Sequence, residues 1–139
     1  MDPFNIDGNG DYHVGPYQLS KHFRIPLQQP GGTPTDNVSV LDSTGPAELR
    51  AAAARVLSLL EAPPLASGRA PLFTCYCGDL ACGAVTVAVS DHGDSIRWSD
   101  FGMETGDDSG YTQSEFMKRT RALEFEKSAY LRALSGFFE

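Results

Sequence analysis

The segment from residue 72 to residue 101, LFTCYCGDLACGAVTVAVSDHGDSIRWSDF, constrains the fold more than any other part of the sequence. Runs rich in β-branched and aromatic residues are separated by two short polar turns, GDLA and HGD. This pattern is typical of neighbouring antiparallel strands. In the last run, Ile96 and Trp98 share one face, and Arg97 and Ser99 share the other. The segment therefore predicts a β-meander.

Two helices are predicted to cover this sheet. Pro46 stands at a favourable first helical position, and the run AELRAAAARVLSLLEA that follows is rich in strong helix formers. Its apolar stripe comprises Leu49, Ala53, Val56, Leu57 and Leu60.

Near the C-terminus, RALEFE alternates as a fourth strand would, and KSAYLRALSGFF predicts the second helix. The alternative is a single long helix that starts at the capping box TQSE. We predict an α+β fold with a mostly antiparallel sheet of about four strands and two main helices packed on one face.

A chain of 139 residues is expected to form one domain, residues 1–139. Residues 1–45 are rich in Gly and Pro and favour turns and short extended pieces, with a strand and one helical turn in DYHVGPYQLSKHF. The helix is predicted over 46–62, a linker over 63–71, and the sheet with the C-terminal helix over 72–139.

The chain is acidic, with 18 Asp and Glu against 11 Lys and Arg. This balance disfavours unassisted binding to nucleic acid or to an anionic membrane, and favours a basic protein partner. The N-terminus lacks the basic start and the apolar run of a signal peptide, and we find no apolar stretch long enough to span a membrane. We therefore expect a cytoplasmic protein.

The acidic residues are concentrated in one part of the chain. Between Asp79 and Glu115, eight acidic residues stand against Arg97 alone. They can form a surface of one sign that attracts a basic protein, although acidic loops often serve only solubility. The predicted binding residues, with Trp98 as an aromatic anchor, are Asp91, Asp94, Trp98, Asp100, Glu104, Asp107 and Asp108.

All three cysteines, Cys75, Cys77 and Cys82, lie in the first predicted hairpin. Cys75 and Cys77 are two apart in a strand and share a face, and Cys82 would lie opposite Cys77 across a four-residue turn. Cysteine packs well as a small apolar residue, and this interpretation is favoured. A zinc site is the alternative, but zinc usually takes four ligands and the spacing supplies three. A reactive thiol is disfavoured, because Asp79 nearby opposes a thiolate.

Other candidate sites carry weaker signals. DGNGDY at residues 7–12 has the acidic alternation of a calcium loop, but Tyr12 and Gln18 occupy positions where glycine and glutamate are needed. His13 and His22 lack a paired nucleophile in a recognisable arrangement. Because no catalytic triad can be assembled from the sequence, binding is favoured over catalysis, and a small hydrolase or lyase that uses His13 or His22 is kept as a third option.

Three motifs resemble those of an uncharacterised group of small bacterial, largely actinobacterial, proteins. They are C-x-C-G-[DE]-x-x-C, matched from Cys75 to Cys82, W-x-D-F, matched from Trp98 to Phe101, and F-[DE]-[RK]-x-x-Y-x-x-x-L, matched from Phe125 to Leu134. The resemblance covers about the C-terminal half of the chain and favours the strand-then-helix ending. It implies no biochemical activity, since none is assigned to the group.

Taken together, these observations predict an acidic cytosolic protein-binding module. One concrete form is an antitoxin or immunity-like inhibitor of a basic partner. Such an inhibitor needs no cofactor. The alternative is a thiol or zinc-binding protein that uses Cys75, Cys77 and Cys82.

Overall fold

The computed structural model describes residues 1–22, 38–42, 45–64, 67–74, 84–104, 111–113 and 115–137. The strands are β1 (Phe4–Ile6), β2 (Tyr12–Val14), β3 (Tyr17–Gln18), β4 (Val38–Ser39), β5 (Ala70–Thr74), β6 (Ala84–Asp91), β7 (Ser95–Glu104), β8 (Tyr111–Thr112) and β9 (Leu123–Glu126). The helices are α1 (Leu19–His22), α2 (Ala47–Leu57), α3 (Glu115–Arg119) and α4 (Lys127–Ser135).

The strands form two antiparallel sheets. The first sheet has the order β1-β2-β3. The second has the order β4-β5-β6-β7-β8, and β9 also pairs with β7. Within it, β5, β6, β7 and β9 form the four-strand antiparallel meander that the sequence predicts. The first half of β7 pairs with β9 and its last two residues pair with β8, so this long strand is the centre of the fold.

The predicted α+β class is confirmed, with α2 and α4 as the two main helices. They pack against each other, while α2 contacts β5 and α4 contacts β7 and β9. The C-terminal segment forms a strand followed by a helix, β9 and then α4, and the single long helix is wrong. The favoured prediction did not include α3, a helix of five residues that begins at Glu115, the last residue of the TQSE capping box.

The helix α2 is shorter than predicted and differs from the prediction in its buried face. It ends at Leu57, and Leu59 then takes a φ of 63°. The buried residues are Ala51, Ala54, Val56 and Leu57, whereas Leu49 and Leu60 of the predicted stripe are 63% and 67% exposed. Leu60 lies beyond the helix end, so it no longer follows the helical period.

The strand and the helical turn predicted in DYHVGPYQLSKHF are confirmed by β2 and α1, but the three-stranded first sheet was not predicted, and it adds a layer to the core. Phe4 packs on the rings of Trp98, Phe125 and Tyr130, with centroid distances of 5.4, 4.8 and 4.9 Å. Tyr12 is fully buried and contacts Trp98 edge to face at 5.7 Å. Aromatic side chains from the first sheet, the meander and α4 therefore meet in one hydrophobic core.

A β-bulge in β7 explains the W-x-D-F motif. Thr86 pairs with Gly102 but Ala88 pairs with Ser99, so Val87 faces two residues of β7. Asp100 takes a left-handed φ of 54° at this point. The extra residue shifts the alternation, so that Trp98 and Phe101 are both fully buried although they are three apart.

Candidate functional site

The acidic turn between β6 and β7 carries two of the predicted binding residues, Asp91 and Asp94, and both are exposed. Asp91 accepts a hydrogen bond from the backbone N–H of Gly93 at 2.9 Å and pairs with Lys127 Nζ at 2.8 Å. The hydrogen bond from Lys127, followed by that from Gly93, holds the pKa of Asp91 below its ordinary value. The carboxylate of Asp91 therefore stays ionised in mildly acidic solution.

Two acidic residues that sequence reasoning did not select lie beside this turn. The register of β9 on β7 places Glu126 opposite Ser95 and Glu124 opposite Arg97. The backbone N–H of Lys127 donates to the carbonyl of Asp94 at 3.0 Å, which holds the start of α4 against the turn. We call Asp91, Asp94, Glu124 and Glu126 the acidic end of the sheet. The predicted fourth strand was the signal that could have brought the two glutamates here.

The acidic end is not free of positive charge. Lys127 pairs with Asp91, and Arg97 is the cross-strand neighbour of Glu124. Four carboxylates therefore stand with two cations, and the local excess is negative. Asp91, Asp94 and Glu126 are exposed and Glu124 is half-buried. Exposed charges act mainly on the rate of encounter with a partner.

Trp98, the predicted anchor, lies inside the protein. Its side chain is 0% exposed, and its Nε1–H donates to Tyr130 Oη at 3.1 Å. The Tyr130 hydroxyl in turn donates to the Leu57 carbonyl at 2.6 Å. Burial decides between the two roles that the W-x-D-F motif allows for Trp98 and Phe101: both belong to the folding core, and neither offers an exposed ring to a partner.

The remaining predicted acidic residues do not join the acidic end. Asp100 is exposed at the bulge in the middle of β7. Glu104 is 2% exposed and accepts hydrogen bonds from the hydroxyl and the backbone N–H of Ser67. It pairs in register with Ala84, at the other end of the ladder from Asp91. The predicted set is therefore not one continuous surface, and Glu104 is not available at the surface.

Asp107, Asp108 and all three cysteines lie outside the described residues. The structure describes the residues on either side of the segments that contain them. Thr74 pairs with Ala84, so the described strands stop on either side of residues 75–83, which include Cys75, Cys77 and Cys82. Packing, zinc binding and thiol chemistry all stay predictions for this connection.

A second cluster of titratable groups lies in the turn between β1 and β2. Asp7 accepts hydrogen bonds from the backbone N–H groups of Asn9 and Asp11 at 2.8 and 3.1 Å, and from His13 Nε2 at 2.7 Å. Burial opposes ionisation of Asp7, but these hydrogen bonds, that from His13 first, lower its pKa. The ligand atoms of Asp7, Asp11 and His13 lie within 4.8 Å of one another.

Two carboxylates and an imidazole are a donor set that suits first-row divalent metals. However, Asp11 is buried, and each of its oxygens already accepts two hydrogen bonds. Gln18, at the position of the missing calcium-loop glutamate, donates one of them at 2.7 Å. The hydrogen bonds that Asp7 accepts from Asp11 and His13 close the turn, and those that Asp11 accepts from Ser20 hold the start of α1.

The histidines give no catalytic arrangement in the part of the chain that the structure describes. His13 is held by Asp7, and only the backbone of His22 is described. Ser90 Oγ and His92 Nε2 lie 2.9 Å apart, but both residues border an exposed turn. A serine nucleophile also needs a group that orients the base and a site that excludes water.

No protein-family model matches the chain, and no similar curated protein or solved structure was found. The resemblance to the actinobacterial group therefore stays a prediction. Within the described ranges, no helix is long and apolar enough to cross a membrane.

Proposed function

We propose that the protein is a non-enzymatic binding module for a basic protein, as an antitoxin or immunity-like inhibitor in the cytoplasm would be. The observation that carries this proposal is the exposure of Asp91 and Asp94 at the acidic end, within a segment that carries eight acidic residues against one basic residue between Asp79 and Glu115. Asp91 and Asp94 of this segment are exposed at the acidic end, next to Glu124 and Glu126. Nucleic acid and anionic membranes remain disfavoured partners.

The expected contact with a basic partner depends on the charge of the acidic end and on its position at a turn. Asp91 and Asp94 stand on a tight turn held by the hydrogen bonds of Gly93 and His92. A rigid turn presents its carboxylates to a partner at little further cost in conformational entropy. With Trp98 buried, attraction between unlike charges is the main contribution expected from this surface, and it weakens with salt.

A pull-down with basic proteins encoded by neighbouring genes, at two salt concentrations, tests the proposal. The double variant Asp91→Asn with Asp94→Asn removes two charges and keeps the size of both side chains. We expect roughly threefold to tenfold weaker binding at low salt and a smaller difference at high salt.

The matched control is Glu48→Gln with Glu61→Gln on and after α2. Glu61 pairs with Arg55 at 2.9 Å as Asp91 pairs with Lys127, and Glu48 is exposed as Asp94 is. The control should bind as the parent protein does. Equal losses in both variants, or the absence of any basic partner at either salt concentration, contradict the proposal.

The second candidate is a thiol or zinc-binding protein. The pairing of Thr74 with Ala84 favours it, because it brings the two ends of the cysteine-bearing connection to neighbouring positions. Elemental analysis of the purified protein separates the two functions. One zinc per chain, lost together with stability on chelation, supports the second candidate, and metal-free protein with three slowly reacting thiols excludes it.

A further inference from the structure

We draw no further inference here: the strongest candidate, the cluster of Asp7, Asp11 and His13 at the turn between β1 and β2, carries nothing because its hydrogen bonds account for the closure of that turn and no second observation in the described ranges points to a bound ion.

Discussion

Gly10 stands where the turn between β1 and β2 comes closest to the chain after β4. Its φ is +86°, and a Cβ at this position would lie 2.1 Å from the Leu41 carbonyl oxygen. Ser39 Oγ donates to the Gly10 carbonyl at 2.6 Å, and the Leu41 N–H donates to Ser39 Oγ at 3.1 Å. Backbone therefore meets backbone here, and only glycine fits both the space and the dihedral angle.

We expect Gly10→Ala to lower the free energy of unfolding by about 3 kcal/mol, since a left-handed backbone costs about 1–2 kcal/mol and the clash adds to it. Gly15→Ala is the control, because Gly15 also has a positive φ, +57°, but nothing lies within 4 Å of its Cβ position. It should cost only about 1 kcal/mol. Urea unfolding measures both, and equal losses would show that Leu41 is not a steric barrier.

Substitutions at Asp100 test whether the bulge requires a left-handed backbone at this residue. In a regular strand, Ala is more stabilising than Gly by roughly 0.5–1 kcal/mol. At the left-handed φ of 54° the order should reverse, so we expect Asp100→Gly to be more stable than Asp100→Ala by about 1 kcal/mol. At the neighbouring Ser99, Ala should be more stable than Gly. If the Ala variant is more stable than the Gly variant at both positions, the bulge does not require a left-handed backbone at Asp100.

Strand β9 depends on a contact from the other end of the chain. The Asp2 N–H donates to the Glu124 carbonyl at 2.7 Å, and the Glu124 N–H donates to Asp2 Oδ2 at 3.0 Å. The Arg121 guanidinium donates to both carboxylate oxygens of Asp2, at 2.6 and 3.2 Å. These contacts occupy the outer edge of β9 at Glu124, the residue in register with Arg97.

The hydrogen bond from Arg121 is the largest cause that lowers the pKa of Asp2. A carboxyl whose folded pKa is lowered adds stability above its unfolded pKa and loses it as the pH falls through the folded value. Because Arg121 is 64% exposed, we expect Asp2→Asn to cost under about 1 kcal/mol at neutral pH. The difference should shrink as the pH falls below the ordinary value of 3.8 and vanish below the lowered pKa of the folded protein. A loss that does not depend on pH would assign the effect to packing instead.

The elements with a clear period were predictable, and most of the short ones were not, although one strand and one helical turn were predicted where β2 and α1 lie. Alternation in SIRW and LEFE places Ile96, Trp98, Leu123 and Phe125 on the core face, where all four are buried. The bulge at Asp100 breaks the two-residue period, which no alternation rule anticipates. The strands of the first sheet have only two or three residues each, too few to show a period among glycines.

The excess of acidic residues could be counted from the sequence, but which of them share one surface could not be predicted from it. The sequence places Asp91 and Glu104 in one acidic segment, yet they lie at opposite ends of the ladder formed by β6 and β7. Ten residues of β7 extend about 30 Å, several times the Debye length of about 8 Å at physiological salt. Charges at the two ends therefore act on a partner separately, and Glu126 contributes more to the acidic end than Glu104 does.

The net charge of the whole chain, −7 at pH 7, sets how its stability responds to salt. Like charges repel in the compact state, and this repulsion outweighs a few exposed ion pairs, each worth less than about 1 kcal/mol. We therefore expect added salt at neutral pH to raise the free energy of unfolding. Near the isoelectric point of about 4.8, the repulsion is gone and the same salt should have little effect.

Below the ordinary carboxyl pKa of 3.8, further acidification should lower the free energy of unfolding. The pKa values of Asp2 and Asp7 are lowered in the folded protein, so the unfolded chain takes up protons at these carboxylates first. The free energy of unfolding should be highest between the isoelectric point of about 4.8 and the ordinary carboxyl pKa of 3.8, and it should fall in more acidic solution. Urea unfolding across this range, with and without salt, measures both effects. If salt instead lowers stability at neutral pH, then ion pairs such as that of Asp91 with Lys127 contribute more than repulsion costs. The acidic end would then already be neutralised from within, and it would have little charge left with which to attract a basic partner.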